Sequence, residues 1–116
     1  MMSPDASFEV SETDHDGVPV VVVLGEIDVA TAPQLEERLL ALAERDPKLA
    51  VADLSGVTFV DSTALGVLVS GVKRFRTGGG DLRLVVTAPH IAKVFAITGL
   101  DGMFSIHPSA AQAASA

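Results

Sequence analysis

A chain of 116 residues, 48% hydrophobic but only 4% aromatic, suits one domain whose interior is filled by Val, Leu, Ile and Ala. Its 15 acidic and 8 basic side chains leave a net charge of −7, which argues against nucleic acid or an anionic membrane surface as partner and favours a basic protein. With no Cys, disulfides, thiol chemistry and thiolate metal sites are excluded; His15, His90 and His107 lack metal-ligand spacing, so neither metal nor cofactor is expected.

Residues 1–6 read as a loose arm ahead of a domain over 7–116. The polar start carries no basic or apolar leader signal, and the longest apolar run, 18–24, is too short to span a bilayer, so a cytoplasmic protein is expected. Residues 7–13 alternate weakly as a first strand, and His15-Asp16-Gly17 is a turn signal. The β-branched run 18–24 predicts a strand buried on both faces, paired with the first as an antiparallel hairpin. Gly25-Glu26-Ile27-Asp28 is expected to leave that strand as a loop. Thr31 then caps a helix, with Gln34 as its capping-box partner, Pro33 in the first turn, and Leu35, Leu39, Leu42 and Ala43 at helical spacing.

Residues 49–54 predict the next buried strand, Ser55-Gly56 a turn, and 57–60 an extended segment that delivers Asp61-Ser62-Thr63. A second helix over about 62–76 buries Leu65, Leu68, Val69 and Val72. Its end carries Lys73, Arg74 and Arg76, read as solvated, and Gly78-Gly79-Gly80 stops it. A strand over 82–86, a helix over 89–98, a strand over 103–106 and a frayed helix over 109–116 complete the order ββαβαβαβ(α). Repeated βαβ units imply an α/β fold with a mixed, mostly parallel sheet of four or five strands.

The Asp61-Ser62-Thr63 hydroxyls at a strand-to-helix junction carry the functional signal. Three readings stay open on residue type alone: a helix cap, a phosphate acceptor, or a catalytic serine. A cap is worth about 1 kcal/mol. A phosphate on Ser62 would meet the positive end of the helix, which favours it by about 0.3–1 kcal/mol. Catalysis needs a base and an oxyanion hole, and no Gly-x-Ser-x-Gly elbow surrounds Ser62. Glu26 and Asp28 end a parallel strand on the same sheet edge, which places acids beside the hydroxyls. Gly78-Gly79-Gly80 follows a helix and is no phosphate loop, so any phosphate on Ser62 has to come from another protein.

Gly25-Glu26-Ile27-Asp28-x-x-Thr31-Ala32, Val60-Asp61-Ser62-Thr63-Ala64-Leu65-Gly66-Val67-Leu68 and Ile97-Thr98-Gly99-Leu100, with spacings intact over about 8–106, resemble a stand-alone STAS domain of the anti-sigma factor antagonist type. The resemblance implies a binding protein and not an enzyme. Its unmodified form would bind an anti-sigma factor that is a GHKL-type serine kinase, and so release a sigma factor for transcription. Phosphorylation of Ser62 would end the interaction, and a PP2C-type phosphatase would restore it. Asp28, Asp61, Ser62, Thr63, Leu65 and Gly66 are the implied partner-binding residues. The same fold also serves in lipid ABC transporters and stress-sensing complexes, which is the alternative reading. Ala64 stands where the family pattern often has Gly, a departure that bears on kinase approach more than on the fold.

Overall fold

Asp16 and Gly17, at φ of 52° and 90°, close a two-residue turn between β1 (Phe8–His15) and antiparallel β2 (Val18–Ile27), in a computed structural model that describes residues 8–115. Two positive φ values give the twist that a tight hairpin needs, and Asp-Gly accommodates them. The chain continues through α1 (Ala32–Glu44), β3 (Leu49–Val60), α2 (Ser62–Thr77), β4 (Asp81–Val85), α3 (Pro89–Ile97), a 3-10 turn (Leu100–Gly102), β5 (Ile106–His107) and α4 (Ala110–Ala114). The expected arm and Ser7 lie outside the described residues, as does Ala116.

The five strands lie in the order β1-β2-β3-β4-β5, antiparallel in the first pair and parallel thereafter. Each parallel strand is added on the same side, so right-handed crossovers bring α1, α2 and α3 to one face. There Leu35, Leu39, Leu42, Leu68, Val72, Ile91 and Phe95 join one buried cluster with Val21, Val23 and Ile27. The other face is thinner. Val20, Val51 and Val85 form a row beneath Ala113 of α4, and Arg83 fastens that helix by donating to Ala113 O at 3.0 Å. The valine run of β2 is thus buried on both faces, as its unbroken apolarity implies.

Several boundaries differ from the sequence reading, for local reasons. Gly25-Glu26-Ile27 is strand and not loop, because Ile27 is fully buried in the core. Ser55-Gly56 is no turn. β3 runs unbroken, and its pairing with β2 slips between Val22 and Leu24 and again between Gly25 and Glu26. At the first slip Asp53 Oδ1 accepts from Ser55 N (3.0 Å) and Ser55 Oγ (2.7 Å). Each slip inserts one extra residue in β3; one insertion would flip every later side chain, and two restore the facing. Val60 therefore still points into the core, and the chain leaves the sheet at Asp61.

The last strand begins at Ile106, later than expected, because the 3-10 turn precedes it and Phe104 turns into the core, edge-on to Phe95 at 5.5 Å and 87°. At the end of α2, Gly79 N donates to Arg76 O (3.0 Å) and Gly80 N to Phe75 O (2.9 Å), with Gly79 at φ 88°. This is the paired closure that a left-handed residue allows. A Cβ on Gly80 would collide with the Pro47 carbonyl oxygen. Arg76 is not simply solvated: it bonds Asp81 Oδ1 at 2.9 Å and Met103 O at 3.0 Å, tying α2 to β4 and the 3-10 turn.

Candidate functional site

The two longest strands converge on the site. Glu26 pairs with Phe59 and Ile27 with Val60; one residue later Asp61 N donates to Ile27 O at 3.3 Å. Asp28 and Asp61 therefore leave the sheet side by side, which brings the two sequence-predicted acidic positions to one edge. α2 starts at that point. Asp61 is its N-cap, in extended conformation, and its Oδ1 accepts from Ala64 N at 3.0 Å. The capping role thus falls to Asp61. Ser62 and Thr63, the first two helical residues, are exposed, and the Ser62 hydroxyl stands at the positive end of a helix of 16 residues.

Asp28 holds its own loop together. Its Oδ1 accepts from Ala30 N (2.9 Å) and Thr31 N (3.1 Å). Thr31 Oγ1 accepts from Asp28 N (2.9 Å) and donates to Glu26 O (2.9 Å). The expected Thr31–Gln34 capping box does not form, since Thr31 makes no side-chain cap bond to α1. The Asp28 carboxylate takes the Thr31 N–H, the Thr31 hydroxyl is engaged with Asp28 N and Glu26 O, and Gln34 N donates to the Thr31 backbone oxygen instead.

The implied contact residues divide by facing. Asp28, Asp61, Ser62, Thr63 and Gly66 lie at the surface or partly so, whereas Leu65 is only 9% exposed and packs in the core. Ala64 is fully buried. Its methyl points inward, so it does not stand in the way of an approaching macromolecule, which removes the reason for expecting Ala64 to affect kinase approach. Two residues that sequence reasoning did not single out adjoin the site. Val29 follows Asp28 and is 71% exposed; Phe59 pairs with Glu26 and is 47% exposed. An apolar residue inside the polar Asp28–Thr31 loop was a visible signal for the first. Phe59 is exposed because the second slip places both Thr58 and Phe59 between the inward Val57 and Val60.

The histidines are engaged elsewhere: His90 Nε2 lies 2.8 Å from Thr58 O, His107 Nε2 2.8 Å from Ser105 Oγ, and His15 Nε2 3.7 Å from Asp16 Oδ2. Among the described residues no acid and histidine cluster has the makings of a metal site, and no helix is long and apolar enough to cross a membrane. The edge combines exposed hydroxyls, three carboxylates and two apolar side chains, a surface suited to binding a protein and to accepting a phosphoryl group.

Removing the cap tests how firmly this geometry is held. Asp61→Ala frees Ala64 N–H and is expected to cost about 1 kcal/mol. The thermal midpoint should fall by roughly 3–6 °C, read by circular dichroism; an unchanged midpoint would mean that the Asp61–Ala64 bond contributes nothing.

Comparison with known proteins points the same way. A family model described as the STAS domain matches residues 9–113. An anti-sigma-B factor antagonist of Bacillus subtilis (strain 168) is 41% identical over 100 residues, covering 86% of this chain and 89% of that protein. The anti-sigma-B factor antagonist of Listeria monocytogenes is 35% identical over 100 residues, covering 86% and 87%. The crystal structure of an anti-sigma factor antagonist from Mycobacterium paratuberculosis superposes with a TM-score of 0.86 at 36% identity, covering 97% of this chain and 95% of that one.

Proposed function

This chain belongs to the STAS domain family, and on that premise we propose that it is an anti-sigma factor antagonist whose binding is switched off by phosphorylation of Ser62. The observation that carries the reading is the division of labour at the start of α2: Asp61 caps the helix, which leaves the Ser62 hydroxyl exposed. The relatives named as antagonists support an anti-sigma factor as the partner. The finer assignment is that this partner is a GHKL-type serine kinase and that a PP2C-type phosphatase reverses its action. Asp28, Asp61, Thr63 and Gly66, with Val29 and Phe59, form the docking surface around Ser62. Leu65 supports that surface from the core.

The protein acts in this account as a binding regulator and not as an enzyme. The histidine contacts run to Thr58 O, Ser105 Oγ and Asp16 Oδ2 and not to the Ser62 hydroxyl. An acidic chain, with no helix among the described residues long and apolar enough to cross a membrane, fits a cytoplasmic regulator that meets its partner in solution.

Incubation with ATP and the cognate anti-sigma factor tests the assignment. Intact-mass analysis should show one added phosphoryl group, located by peptide mapping at Ser62. Ser62→Ala should gain none and still bind the anti-sigma factor. Phosphorylation of Ser62→Ala at the wild-type rate would place the acceptor elsewhere and overturn the reading.

A further inference from the structure

α2 contains two glycines within its span, Gly66 and Gly71, and the structure accounts for only one of them. A Cβ on Gly71 would lie 3.2 Å from Leu39 Cδ1 and 3.4 Å from Leu82 Cδ2, so close packing against α1 and β4 explains its lack of a side chain. Gly66 is exposed, and a Cβ there would meet nothing within 4 Å beyond its chain neighbours and the helix's own backbone. Its φ is not positive. A glycine inside a helix weakens that helix relative to alanine, so the chain keeps at Gly66 a residue that its own fold does not require.

Position 66 is one turn beyond Ser62. Every Cα–Cβ bond of a helix tilts toward the N-terminus, and a side chain covers the turn that precedes its own Cα. A side chain at 66 would lean over the turn that carries Ser62 and Thr63. An alanine methyl would stay more than 4 Å from both hydroxyls, whereas a longer chain would overhang them. Phosphoryl transfer needs the reacting atoms within about 3–3.5 Å, so a modifying protein has to close down onto the helix surface at this point.

We propose that Gly66 is a specificity-determining residue of the Ser62 surface: it keeps a patch of bare backbone beside the acceptor, so that the protein which binds and modifies Ser62 can seat directly on α2. This rests on the assignment of Ser62 as acceptor, but its first test does not need the partner. The chain has no Cys, so Ser62→Cys installs a single thiol at the acceptor position. Its alkylation is measured with small iodoacetamide and with a bulky fluorescein maleimide, in backgrounds with Gly, Ala or Gln at 66. The ratio of bulky to small reagent rates reads shading and cancels any change in thiol ionisation.

With Gln at 66 the ratio should fall several-fold, and with Ala it should change little. The thermal midpoint of Gly66→Ala and Gly66→Gln should rise by about 2–5 °C. A ratio unchanged by Gln, or a midpoint that falls in Gly66→Ala, would overturn the inference whatever the fate of the phosphorylation assignment. In the phosphorylation assay on the native Ser62, Gly66→Gln should be modified more slowly than wild type; an equal rate would also overturn it. Failure of wild type itself to be phosphorylated would instead count against the proposed function, and the thiol ratio would still decide the role of Gly66.

Discussion

Leu68→Ala should lower the unfolding free energy by about 2–5 kcal/mol and the thermal midpoint by roughly 10 °C or more. Leu68 is fully buried in the main cluster, on the inward face of the helix that carries Ser62. Truncation removes the transfer energy of its methyl groups and leaves a cavity among rigid neighbours, Ala64 and Val72 among the cluster. Domains of this size are stable by only about 5–15 kcal/mol, so a single truncation consumes much of the margin. With no Trp or Tyr in the chain, calorimetry or circular dichroism is the appropriate measurement. A midpoint within a degree or two of wild type would mean that α2 is not anchored through Leu68.

Phosphorylation of Ser62 is expected to do the reverse: leave the fold intact and abolish binding. The phosphoryl group adds about −1.5 to −2 charge. At the first helical position the helix end favours it by about 0.3–1 kcal/mol, and Ser62 is exposed, so its repulsion by Asp61 is screened by water to about 1 kcal/mol per unit-charge pair at ~4 Å. The docked state is different. A kinase brings a general base, typically a carboxylate, within reach of the acceptor hydroxyl. After transfer that carboxylate faces a phosphate. One unit-charge pair at ~4 Å costs about 4 kcal/mol at surface-like dielectric, close to a thousandfold in affinity. Covering exposed Val29 and Phe59 favours binding of either form, whereas a phosphate shut away from water under the partner adds a dehydration cost of its own. Ser62→Glu, with one charge and no phosphate geometry, should weaken binding in the same direction and by less.

The geometry of the candidate site was legible because its signals are contiguous. A strand pattern ending in Val60, an Asp cap and a helix pattern starting at Ser62 occupy consecutive positions, and parallel strands deliver Asp28 to the same edge. Ala64 lies four residues before Leu68 on the same helix face, so its burial was also readable from spacing. The bulges of β3 were not legible. A Ser-Gly pair between two apolar runs suits a turn as well as an inserted residue, and only pairing with β2 decides which one forms. Exposure of Phe59 depends on the same register and was hidden for the same reason. The Thr31 cap failed because local hydrogen bonding is competitive: Asp28 and Thr31 satisfy each other before α1 begins. The late start of β5 follows from a contact distant in sequence, Phe104 on Phe95.

The central claim is that one modification at Ser62 removes binding without disturbing the fold. It is tested most directly by titrating the cognate anti-sigma factor with unmodified and Ser62-phosphorylated protein in parallel, with the thermal midpoint of each form measured on the same samples. The account predicts affinity lower by about two to three orders of magnitude in the phosphorylated form, midpoints within a few degrees of each other, and full recovery of binding after dephosphorylation. Equal affinities of the two forms, or a loss of binding accompanied by unfolding, would contradict it.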